Sequence, residues 1–87
     1  MSEAELLTRI AAILNGNPDL ALRGPVATLA METRFREELG LDSVALMALA
    51  FELMELAPAL DERTIVQWKT AGDCVRAVTA ALAARPP

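Results

Sequence analysis

Few residues of this chain have side chains that could take part in chemistry. Asp42 and Ser43 follow a Leu-Gly-Leu turn and stand at the start of a long apolar segment. Ser43 therefore has two interpretations: a cap of the helix that follows, or a hydroxyl group to which something is attached. Cys74 is the only cysteine, and there is no histidine. These counts exclude an internal disulfide and a Cys/His metal site, and they remove the usual general base for a Ser or Cys nucleophile.

The composition favours helices. Of the 87 residues 54% are hydrophobic, but only two are Phe, one is Trp and none is Tyr, so Ala, Leu, Val and Ile must form most of the core. A chain of this length is expected to form a single domain over residues 1–87. The N-terminal residues do not resemble a signal peptide, and no uncharged apolar run is long enough to cross a bilayer. We therefore expect a soluble, cytoplasmic protein.

The charge distribution points to protein partners. The net charge is −4, and from Glu37 to Glu62 there are seven acidic residues and no Lys or Arg. Such a segment should repel nucleic acid and attract basic protein surfaces. We expect a monomer that binds neither nucleic acid nor a membrane.

The pattern predicts three principal helices and one short helix. Ser2 and Glu5 have capping-box spacing at the start of the first helix, which Asn15-Gly16 ends. The second helix runs from residue 43 to about residue 57, and the short one covers residues 61–68. Thr70 with Asp73 resembles a second capping box at the start of the last helix. Residues 26–39 could form a further helix or belong to a long loop, which Gly40 ends before Asp42.

The second predicted helix is apolar on two opposite sides. One stripe consists of Leu46, Leu49, Leu53 and Leu56; the other consists of Val44, Met47, Phe51 and Met54; Ala45, Ala48, Glu52 and Glu55 form a third face. One apolar stripe is enough to build a core. The second predicts either a helix buried on all sides or a surface that binds a partner.

The segment TRFREELGLDSV, followed after the long helix by WKTAGDCV, resembles the acyl and peptidyl carrier protein family. The matching residues are Phe35, Leu39, Gly40, Asp42 and Ser43, and then Thr70, Gly72 and Asp73. The similar spacing extends over nearly the whole chain. The resemblance implies an all-α, four-helix bundle of the acyl-carrier type with a long first loop. It also implies that a phosphopantetheinyl transferase attaches 4′-phosphopantetheine from coenzyme A to Ser43, next to Asp42.

A member of this family catalyses nothing itself. It carries an acyl or aminoacyl group as a thioester and presents it to a loading ligase and to downstream synthase enzymes. The resemblance implies that Val44, Met47, Phe51, Glu52 and Glu55 bind these partners, and it implies no metal. Trp68 has two interpretations: it contacts the arm or its cargo, or it fills a core that is otherwise rich in Ala.

One departure from the family bears on the pathway. Carrier proteins of fatty-acid synthesis usually have acidic residues early in the second helix, where this chain has Ala45 and Ala48. We therefore expect weaker electrostatic steering and a role in polyketide, nonribosomal peptide or related specialised biosynthesis. The alternative is a small helical module that binds a partner helix through the second apolar stripe, with Ser43 as a cap or phosphorylation site.

Overall fold

The computed structural model describes residues 2–16 and 29–84. Within these ranges the chain forms helix α1 (Glu3–Gly16), helix α2 (Ser43–Leu56), a short 3₁₀ helix (Glu62–Gln67) and helix α3 (Ala71–Ala83). These ranges contain no strand, only an isolated antiparallel β-bridge between Arg34 and Thr70. The prediction of an all-α fold with three principal helices is confirmed, and the short helix at residues 61–68 is a 3₁₀ helix.

Helix α1 begins as its sequence predicts. The Ser2 Oγ accepts a hydrogen bond from the Glu5 N–H at 3.2 Å, which pairs one of the N–H groups that a helix leaves free at its start. Leu6, Ile10 and Leu14 recur on one side and are buried. This side packs α1 against both α2 and α3.

The segment before α2 is not an α-helix where it is described. The possible helix at residues 26–39 begins among residues that lie outside the described ranges, and residues 31–39 form turns. The Phe35 N–H donates to the Lys69 carbonyl at 2.9 Å, and the Ala71 N–H donates to the Thr33 carbonyl at 2.8 Å. These bonds to a distant segment use backbone groups that a continuous helix would pair within itself.

The core lies where the three α-helices and this segment meet. Its fully buried large side chains come from every described element: Leu6, Ile10, Leu14, Phe35, Leu41, Leu49, Leu53, Ile65, Val75 and Val78. The first apolar stripe of α2 supplies part of this set, as predicted, except that Leu56 is only half-buried. No helix in the described part of the chain is long and apolar enough to span a membrane.

Helix α3 begins with the predicted capping box. The Asp73 N–H donates to the Thr70 Oγ1 at 3.2 Å, and the Thr70 N–H donates to the Asp73 Oδ2 at 3.1 Å. Burial acts to raise the pKa of Asp73, but hydrogen bonds from the Lys69 and Thr70 backbone and from Arg76 outweigh it and lower the pKa. Cys74, in the first turn of α3, is fully buried, and burial raises the pKa of its thiol well above the ordinary range.

Candidate functional site

Asp42, and not Ser43, is the cap of α2. The Asp42 Oδ1 accepts a hydrogen bond from the Ala45 N–H at 2.8 Å, while Ser43 is the first residue of the helix. The interpretation of Ser43 as the cap is therefore wrong, because Asp42 already pairs the N–H group of Ala45. Ser43 is exposed, and its hydroxyl is not used to begin the helix. Ser2, the other serine of the chain, differs because its hydroxyl oxygen caps α1.

A tight turn determines where α2 begins. Gly40 has a φ of 74°, in the left-handed region that glycine adopts without strain. The next residue, Leu41, is fully buried, and its N–H donates to the Phe35 carbonyl at 3.0 Å. Leu41 is thus buried in the core, whereas the next two residues, Asp42 and Ser43, are exposed at the surface.

A second set of contacts joins the segment before α2 to the start of α3. The Gly72 N–H donates to the Met31 carbonyl at 2.7 Å. A Cβ atom at residue 72 would lie 2.8 Å from the same carbonyl oxygen, so the close approach requires glycine there. Gly72 therefore has a structural role in fixing the segment that leads to Ser43.

Two arginines near Ser43 have different partners. The Arg36 Nη2 donates to the Ser43 Oγ at 3.3 Å. The Arg34 Nη1 lies 2.6 Å from the Glu37 Oε2, and this hydrogen bond and ion pair raise the pKa of Arg34. The contact between Arg36 and Ser43 was not predicted from the sequence. The only signal in the sequence was a cation directly before the acidic segment, and it did not indicate that the turn would bring residues 36 and 43 together.

A cleft of about 650 Å³ opens beside Ser43. Its lining combines charged residues (Arg34, Arg36, Glu37 and Lys69), hydroxyl residues (Ser43 and Thr70) and apolar residues (Leu46, Met47, Ile65 and Trp68). The cleft thus lies between the first turns of α2, the 3₁₀ helix and the segment before α3. Trp68 and Ser43 both line this cleft.

Trp68 belongs to the core and also lines this cleft. Its side chain is only 4% exposed and packs with the other core residues. Its indole Nε1 is buried without a hydrogen-bond partner among the described residues. A buried donor of this kind costs about 1–3 kcal/mol when it is unpaired. Trp68 therefore lines the cleft with part of its ring, while its N–H is enclosed in the core.

The second apolar stripe of α2 is exposed at two of its members. Val44 is 77% exposed and Phe51 is 56% exposed, while Met47 and Met54 are half-buried. Glu52 and Glu55 are exposed on the same helix. The helix is thus not buried on all sides.

The sequence pattern put Ala45 on one face with Glu52, but the structure does not place it on that exposed face. It is only 6% exposed, and Ala48 is half-buried. The reason is the helical repeat: residue 45 lies one turn before Leu49 and shares its buried side. An acidic residue at position 45 would therefore be placed in the core and not on a docking surface.

Three comparisons with known proteins gave no match. No family model matches the chain, and no match was found among the curated proteins or among the solved structures. Among residues 2–16 and 29–84, no group of three or more His, Cys, Asp or Glu residues could hold a metal ion. The described residues form a small all-helical protein, so any functional assignment depends on the residues around Ser43 and on the exposed flank of α2.

Proposed function

We propose that this chain is a carrier protein that bears a 4′-phosphopantetheine arm on Ser43 and delivers an acyl or aminoacyl group to partner enzymes. The observation that carries the proposal is the position of the Ser43 hydroxyl. It is exposed in the first turn of α2, and Asp42 rather than Ser43 caps the helix. A group attached to Oγ therefore leaves the start of the helix intact.

The residues around Ser43 suit a phosphate. The N-terminus of an α-helix presents unpaired N–H groups and the positive end of the helix dipole, which together favour an anion. When bound, the arm would supply a thiol with an ordinary pKa of about 8.5, which can form a thioester with the cargo. Cys74 is unsuited to that chemistry because it is fully buried and its pKa is raised.

The cleft supports a role in holding the arm or its cargo. Its apolar walls, including Met47 and Trp68, are suited to a hydrocarbon chain. On this proposal Trp68 contacts the arm or cargo in addition to its place in the core. The single Trp also makes the cleft accessible to fluorescence measurements.

The exposed flank of α2 supports binding to several enzymes in turn. Val44 and Phe51 provide apolar contact area, Met47 adds a side chain that adapts to different shapes, and Glu52 and Glu55 attract basic surfaces. The partners we propose are a phosphopantetheinyl transferase, a loading ligase and downstream synthase enzymes. We place them in a cytoplasmic polyketide, nonribosomal peptide or related specialised pathway, in which the chain itself catalyses no step.

Intact-mass spectrometry tests the carrier function. Incubation with coenzyme A and a broad-specificity phosphopantetheinyl transferase should raise the mass of the chain by one phosphopantetheine group. Ser43→Ala should abolish the gain, whereas Ser2→Ala should retain it, because Ser2 is the matched exposed serine at the start of α1. A wild-type chain that stays unmodified contradicts the proposal.

A second candidate function is a helical interaction module. The observation that favours it is the exposure of Val44 (77%) and Phe51 (56%), which is sufficient for binding without any attached group. The two functions differ in their dependence on Ser43. If the chain is an interaction module, the Ser43→Ala variant should bind the partner as well as the wild type does. If it is a carrier, the variant should fail to deliver cargo.

A further inference from the structure

We propose that Arg36 is the counter-ion of the phosphodiester that links the arm to Ser43, an inference that rests on the carrier function proposed above. The starting observation is the hydrogen bond of 3.3 Å from the Arg36 Nη2 to the Ser43 Oγ. Attachment of the arm would place a phosphate directly on this oxygen. A guanidinium group that already contacts Oγ is therefore within reach of the phosphate oxygens.

Arg36 has the donors that this role needs. A guanidinium group carries five N–H donors in a planar fork that matches two phosphate oxygens at once. Within the described residues, the contact with Ser43 is the only hydrogen bond of the Arg36 side chain, and Arg36 forms no ion pair with an acidic side chain. Arg34 lines the same cleft but is held by Glu37 at 2.6 Å. Of the two arginines, Arg36 is the one whose charge is not paired with an acidic side chain of the described residues.

The acidic residues near Ser43 in the sequence make a counter-ion favourable. The phosphodiester would add a negative charge directly after Asp42, and the next Lys or Arg along the chain does not occur until after Glu62. Two adjacent anions repel each other, and the repulsion weakens when a cation lies within a few ångströms of both. The contact of Arg36 with Ser43 places a cation at this point of an otherwise acidic segment.

The backbone holds Arg36 in place independently of its side chain. The preceding residue, Phe35, is fully buried, and its N–H donates to the Lys69 carbonyl at 2.9 Å. The Arg36 carbonyl accepts the Gly40 N–H at 3.1 Å, within the turn that leads to α2. Because both ends of this short stretch are fixed, the backbone keeps the Arg36 guanidinium group within reach of the phosphate. The arm would then begin at the charged rim of the cleft, beside its apolar walls.

The test compares fully modified proteins, so that a slower modification reaction does not affect the result. Wild type, Arg36→Gln, Arg36→Lys and Arg34→Gln are each converted to the modified form, and the conversion is checked by mass. The Arg34→Gln variant is the matched control, because it removes the same charge from the same cleft. The ³¹P resonance of the arm and the change in Tm on modification are then measured at low salt and at about 1 M salt, where charges more than about 3 Å apart are screened.

The expected result separates the two arginines. Arg36→Gln should shift the ³¹P resonance. At low salt, the rise in Tm that modification causes should be smaller in this variant than in wild type by about 2–4 °C. Arg36→Lys should restore part of both effects, Arg34→Gln should leave both close to wild type, and high salt should reduce the difference in Tm between wild type and Arg36→Gln. Equal values for wild type and Arg36→Gln in either measurement overturn this inference alone. A wild-type chain that cannot be modified overturns the proposed function, and this inference with it.

Discussion

The substitution Gly72→Ala tests how the segment before α2 is attached to α3. The new Cβ would lie 2.8 Å from the Met31 carbonyl oxygen, whereas ordinary contacts of this kind are 3.4–4 Å. The Met31 backbone must therefore move away, which weakens the Gly72 N–H bond of 2.7 Å. A lost hydrogen bond costs about 0.5–1.5 kcal/mol and a forced backbone shift costs about 1–3 kcal/mol. Alanine is favoured over glycine in helices by about 0.5–1 kcal/mol, which offsets part of this cost. The free energy of unfolding should therefore fall by about 1–3 kcal/mol.

Urea unfolding followed by circular dichroism measures this loss, and thermal unfolding should show a fall in Tm of about 5–15 °C. Gly16→Ala is the control, because a Cβ built at this last residue of α1 meets no atom within 4 Å among the described residues, apart from its chain neighbours and the backbone of its own helix. Its stability should stay the same or rise by up to about 1 kcal/mol. Were Gly72→Ala to be as stable as Gly16→Ala, the close contact between Met31 and α3 would be wrong.

Three further predictions concern the cap of α3, the cleft and the exposed flank. The folded-state pKa of Asp73 is lowered below its unfolded value of about 3.9, so ionised Asp73 stabilises the fold at neutral pH and this contribution disappears as the pH falls through the folded-state pKa. Asp73→Asn should therefore be less stable at pH 7 and should lose part of the acid dependence; urea unfolding from pH 2 to pH 7 checks this, and an unaltered pH profile would contradict it. Trp68, the only Trp, should change its fluorescence when the arm is loaded with cargo, and an unchanged spectrum would show that the cargo stays outside the cleft. Phe51→Ser should alter stability by less than about 1 kcal/mol because the ring is 56% exposed, yet weaken binding to a downstream enzyme about tenfold; an unchanged Kd would argue against this flank as the docking surface.

The helices were predictable because their signals are local. The start of α3 follows from Thr70 and Asp73, whose spacing allows the reciprocal hydrogen bonds that the structure contains. The start of α2 follows from the Asp42-Ser43 pair, since both are residue types that begin helices, although it is the Asp42 carboxylate and not Ser43 that pairs an N–H group of the first turn. Each of these contacts lies within a few residues, so the sequence alone determines it.

The site was only partly predictable because its geometry depends on distant contacts. The sequence predicted an important serine at residue 43, but the contact from Arg36 requires the turn at Gly40 and the bonds of residues 31–35 to residues 69–72. The burial of Ala45 also depends on how far the core extends around α2. Periodicity places a residue on one side of a helix, but it does not fix how wide the buried side is.

The most direct test of the carrier function is to locate the modification in protein isolated from its own cells. Tandem mass spectrometry of the peptide that contains Asp42 and Ser43 should show a phosphopantetheine group on Ser43, with any cargo attached through its thiol. The peptide that contains Ser2 should be free of it. A Ser43 peptide that is entirely unmodified in this material, or an arm found on another residue, would contradict the account.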